Sequence, residues 1–108
     1  MASKERERLL RLQQATEITA RIWRIEISRL VGLQAELRTI QNQEGDALER
    51  LGKQNAMETF IVTRLRNLHL QRTKLILQIE HQQLRARKSG LQAKSFERFY
   101  EKMRSRIR

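Results

Sequence analysis

The sequence contains no cysteine and no proline. The first absence excludes disulfides, zinc ribbons, iron–sulfur clusters and thiol catalysis. The second, with only four glycines in 108 residues, leaves little material for tight turns, β-corners or a glycine-rich phosphate loop. No apolar run approaches the roughly 20 residues that span a bilayer. Residues 1–12 are charged rather than apolar, which predicts no secretory signal and a cytoplasmic chain. Aromatics make up 5% of the chain and charged residues 32%, so any core is narrow. At this length a single domain, 1–108, is expected.

What is present is helical material. Leu, Arg, Gln, Glu, Lys, Ala and Ile dominate, and strand-type alternation is nowhere sustained. The best turn lies near residues 52–56, with Gly52 as the residue just past a helix and Asn55 as the next N-cap, followed by Glu58 three residues on. A rival break is Glu44-Gly45-Asp46. Ser3 is the natural N-cap of the first helix, and Gly32 and Gly90 read as tolerated inside periodic segments. The chain therefore reads as all-α: two long helices, about 4–51 and about 56–106. A helix of this length runs to about 70 Å, too long for a globular domain of this mass, so the two are expected to pair as an antiparallel coiled-coil hairpin.

Both helices carry the 4-3 spacing of coiled-coil a and d positions. On helix 1 it runs Leu9, Leu12, Thr16, Thr19, Trp23, Glu26, Leu30, Leu33, Leu37, Ile40, Glu44, Ala47, Leu51. On helix 2 it runs Ile61, Leu65, Leu68, Arg72, Leu75, Ile79, Gln82, Ala86, Ser89, Ala93, Phe96, Tyr100, Met103, Ile107. Facing residues of an antiparallel pair have a constant sum of residue numbers. These two series meet that condition with a centre inside the turn chosen from Gly52 and Asn55. Layers of the type Leu12–Phe96, Leu30–Ile79 and Ala47–Ile61 follow, and bulky Trp23 faces small Ala86. Glu26–Gln82 and Thr19–Ser89 match polar with polar. Leu37–Arg72 and Glu44–Leu65 are mismatched, with their charged heads expected to snorkel outward. Near Trp23 a stutter that turns Ile22 inward is a competing register.

Two features remain once the seam is filled. Leu70, Leu77, Leu84 and Leu91 recur every seven residues at a position pointing away from the partner helix. This stripe is expected to bind a partner or a second copy, unless the seam drifts onto it or the leucines are merely scattered. The charge is also uneven. Of the formal net +11, a net of +10 falls on residues 1–25 and 84–108, and zero on residues 41–67. The basic open end, represented by Arg8, Arg11, Arg85, Arg87, Lys88, Lys94 and Arg98, is expected to dock an acidic protein surface or a polyanion, against the plainer reading of solvated, charged termini.

Catalysis finds no footing. His69 and His81 are about 18 Å apart along a helix and cannot share a metal, and carboxylates are spaced among arginines in helix pairs such as Glu97–Lys94 and Glu101–Arg98. No cofactor site is expected. The chain carries the basic footprint of a nucleic-acid binder but none of the motifs. Pairing with helix 1 is expected to occupy the apolar residues of helix 2, which argues against a helix lying on lipid.

A small, basic, cysteine-free hairpin with both termini at one end resembles the FliJ/YscO-type proteins of bacterial flagellar and virulence type III export. The resemblance rests on the seam Leu30-Leu33-Leu37-Ile40, the return seam Leu65-Leu68-Leu75-Ile79 and the tail Ser95-Phe96-Glu97-Arg98-Phe99-Tyr100-Glu101-Lys102. It implies a stalk in a hexameric export ATPase, contacts with the export gate or export chaperones, and a location at the inner membrane through that protein complex. The alternatives are a hairpin chaperone or adaptor that binds a partner helix, and a coiled coil that binds nucleic acid without sequence preference.

Overall fold

The computed structural model describes residues 2–53 and 58–107. It is all-α, an antiparallel hairpin of two long helices, α1 (Ala2–Lys53) and α2 (Glu58–Ile107). α1 runs two residues beyond each end expected from the sequence. Ser3 lies inside the first turn of α1 rather than capping it. Neither Gly45 nor Gly52 breaks α1, and no glycine among the described residues has a positive φ. A glycine inside a helix costs only about 1 kcal/mol relative to alanine, an amount that pairing along the seam outweighs. The N-cap assigned to Asn55 lies outside the described residues.

The hairpin divides into two compact units. The first comprises residues 1–29 and 83–108, the second Leu30–Gln82. In the second unit α2 buries Ile61, Leu68, Leu75 and Ile79, and α1 buries Ala47. Leu30, Leu33, Leu37, Ile40, Leu51 and Leu65 are half-buried beside them. Every one of these is a position of the 4-3 series. The charged seam residues Glu44 and Arg72 do not snorkel outward. They meet, with Arg72 Nε 3.2 Å from Glu44 Oε1. Helical side chains lean toward the N-terminus of their own helix. In an antiparallel pair Glu44 and Arg72 therefore lean toward each other across one heptad, and their mismatches with Leu65 and Leu37 are relieved together. The contact is one of charge only: Glu44 Oε1 is cut off from solvent yet accepts no hydrogen bond.

The first unit is built differently. Its buried side chains on α2 are small, Ala86 and Ala93, and Gly90 is buried between them. Thr16, Thr19, Trp23, Phe96 and Tyr100 are half-buried. The Trp23 indole lies across Gly90: a Cβ there would stand 2.9 Å from the ring Nε1 and 3.0 Å from Cε2. Gly90 is therefore required by the packing and not merely tolerated. The same N-terminal lean carries the indole from Ala86, where the layer pattern puts it, one turn along α2 to Gly90. Ile22 is exposed, so the seam does not stutter. The Thr16 hydroxyl donates to the Leu12 carbonyl at 2.7 Å and lies 3.4 Å from the Phe96 carbonyl across the seam. Glu26 is buried in this unit, with Arg29 3.4 Å away.

Candidate docking surface

The two units differ sharply in charge. The first carries sixteen Lys and Arg against six Asp and Glu, a net of +10. The second carries seven against six, a net of +1. Local helix energetics explain part of the first unit's excess. Arg104 and Arg106 in the last turn of α2 complement the negative end of the helix dipole. They do not explain Lys4, Arg6 and Arg8, which stand near the positive end of α1. Glu5 is the one acidic residue of the α1 first turn. Cations placed against a helix N-terminus cost stability.

Arg8, Arg11, Arg85, Arg87, Lys88, Lys94 and Arg98 are all exposed. The structure brings some of them together. Lys94 and Arg98 line a groove of about 220 Å³ with Leu91, Ser95, Phe99 and Lys102. Lys94 also sits over the Trp23 ring, 5.9 Å from its centroid, a cation–π contact. Among the described residues no ion pair joins Glu97 to Lys94 or Glu101 to Arg98, so these helix pairs are not formed.

The leucine stripe stays out of the seam. In the second unit Leu70 and Leu77 are each 62% exposed; in the first, Leu84 and Leu91 are each 65% exposed. The seam does not drift onto them. Phe99, 61% exposed, belongs with this class, although the leucine repeat does not include it. Its neighbour Phe96 occupies the seam, and the 4-3 register alone is enough to place Phe99 outside. The second unit has a groove of about 420 Å³ where Arg50, Lys53 and Arg64 surround Phe60 and Ile61. Its lining combines the seam residues Ala47 and Ile61 with residues flanking the seam on both helices.

His69 has a structural partner. Arg72 Nη2 lies 2.8 Å from its Nδ1. A guanidinium only donates, so Nδ1 accepts and the ring proton is on Nε2. The His69 hydrogen bond and the Glu44 contact together hold Arg72 in place. Among the described residues no three His, Asp or Glu side chains are grouped to hold a metal ion, and no helix is long and apolar enough to cross a membrane. No protein-family profile, curated protein or solved structure matches this chain.

Proposed function

We propose that the chain is a non-enzymatic coiled-coil interaction protein that docks through its basic unit. The proposed setting is the stalk or accessory position in a hexameric type III export ATPase, as the resemblance to FliJ/YscO-type proteins implies. The observation that carries the reading is the concentration of a net +10 on one unit of the hairpin, including cations that helix stability does not require. A preformed, charge-polarised pair of helices draws an acidic surface from a distance and presents it with side chains already ordered. The stalk reading predicts that the purified chain copurifies with the ATPase and raises its rate of ATP hydrolysis. Reversing Arg85, Arg87 and Lys88 to Glu should weaken docking by about tenfold or more, in a salt-dependent way, with helicity unchanged by circular dichroism. If the triple variant docks normally, the charged-unit reading is wrong.

The exposure of Leu70, Leu77, Leu84 and Leu91 supports a second reading, an adaptor that binds a partner helix such as one from an export chaperone. Leu77→Asp with Leu84→Asp should abolish that binding while leaving the hairpin folded.

A further inference from the structure

We propose that the face of α2 between Leu84 and Lys102 that points away from the seam binds directly to an anionic lipid bilayer. The inference goes beyond the docking function above and does not depend on it. A helix whose apolar residues are all used in pairing has none left for lipid, but this stretch of α2 does not meet that description. The seam takes Ala86, Gly90, Ala93, Phe96 and Tyr100. Leu84, Leu91 and Phe99 are left outside it, all more than 60% exposed.

Helical periodicity fixes what surrounds them. Leu84, Leu91 and Arg98 follow one another at intervals of seven, and Lys88 and Lys102 fall within a turn of that line. All three of these cations are exposed. The groove beside Leu91 and Phe99 is bounded by Lys94, Arg98 and Lys102, with no carboxylate in its lining. The nearest acids, Glu97 and Glu101, lie on the adjoining flank beside the same three cations.

Charge selects the class of partner. A second copy would bring one net +10 unit against another, so the occupant is anionic. A nucleic-acid duplex would satisfy the cations through its phosphates but leave Leu84, Leu91 and Phe99 in water. An acidic protein helix would need a carboxylate matched to each cation, because here cations stand between the apolar side chains instead of forming a rim. A fluid interface has no such requirement. Leu and Phe enter the acyl boundary, while Lys and Arg lay their methylene stems along it and keep their charged heads among lipid phosphates. Anionic lipid supplies the negative surface potential that attracts them.

The test uses the full chain and vesicles of mixed phosphatidylglycerol and phosphatidylcholine, with pure phosphatidylcholine as the reference, read by co-sedimentation. Binding is expected to the mixed vesicles and not to the reference. The triple variant Leu84→Ser, Leu91→Ser, Phe99→Ser keeps every charge and should bind the mixed vesicles about tenfold more weakly or worse, since affinity follows inserted apolar area. Lys94→Gln, Arg98→Gln, Lys102→Gln should lose binding as well. Arg6→Gln, Arg8→Gln, Arg11→Gln removes the same charge from α1 and should change binding by no more than about twofold, because the attraction falls off with distance from the surface. All substituted side chains are exposed, so helicity should persist in every variant. The proposal is overturned if the serine variant binds like the parent, or if the parent binds the reference vesicles equally well. It is also overturned if the parent ignores the mixed vesicles while retaining a duplex oligonucleotide.

Discussion

The two units of the hairpin are nearly equal in length and share one architecture, yet they solve the packing problem in different ways. The unit at Leu30–Gln82 buries branched aliphatic side chains and joins its two charged seam residues to each other. The unit at 1–29 and 83–108 buries alanine and glycine and lays a tryptophan across them. The unit with the smaller buried side chains is also the one with a net +10. Apolar burial contributes about 25 cal/mol per Å², and like charges repel within a compact unit. The basic unit therefore gathers charge of one sign over a seam whose buried side chains are small, an arrangement that suits a surface for an anionic partner.

The largest expected effect separates the units through their glycines. Gly90→Val places a side chain where the Trp23 indole already lies. It should cost up to about 3 kcal/mol, the upper range for overpacking, seen as a lowered thermal midpoint with altered tryptophan fluorescence. Gly32, in the other unit, has nothing within 4 Å of an added Cβ. There Gly32→Ala should stabilise by about 0.5–1 kcal/mol from helix propensity. Equal responses at the two sites would erase the distinction between the seams.

The next effect tests the ion pair. Arg72→Leu alone leaves Glu44 charged and largely shielded, and should cost about 1–2 kcal/mol in denaturant titration, less than a deeply buried pair because Arg72 keeps some solvent contact. Glu44→Leu with Arg72→Leu should recover that loss or exceed it, since two leucines continue the aliphatic seam. A double variant weaker than the single one would mean that the pair does more than relieve two mismatched layers.

The smallest effect concerns charge. Raising the salt concentration screens repulsion between like charges. Backbone amides around Ala86 and Ala93 should therefore gain hydrogen-exchange protection, while those around Leu68 and Leu75 change little. Equal gains in both regions would show that the charge asymmetry has no mechanical consequence.

Much of this was legible in the residues. Every position of the 4-3 series whose side chain is described is buried or half-buried, and Leu70, Leu77, Leu84 and Leu91 stand outside, as the spacing requires. Heptad periodicity is a property of the chain itself, so it can be read without coordinates. The helix ends were less legible. The rival break at Gly45 is not used, whereas α1 ends at Lys53, one residue beyond Gly52, beside the turn expected near 52–56. At Gly45 a local signal worth about 1 kcal/mol does not stop a helix whose neighbours gain more by pairing. Of the candidate site, the basic residues and the leucine stripe were read from the sequence; the grouping of Leu91, Lys94, Arg98, Phe99 and Lys102 was open to the same reading, because they follow one another at helical spacing on α2 alone.

By itself the sequence determined the all-α class, which side of each helix faces its partner, and where the positive charge collects, because these depend only on composition and on residue spacing along a regular helix. Only the tertiary structure decided that Trp23 rests on Gly90 and that Glu44 and Arg72 meet. Those outcomes depend on the direction in which side chains lean and on how far they reach, and that direction matters only once a second helix lies alongside.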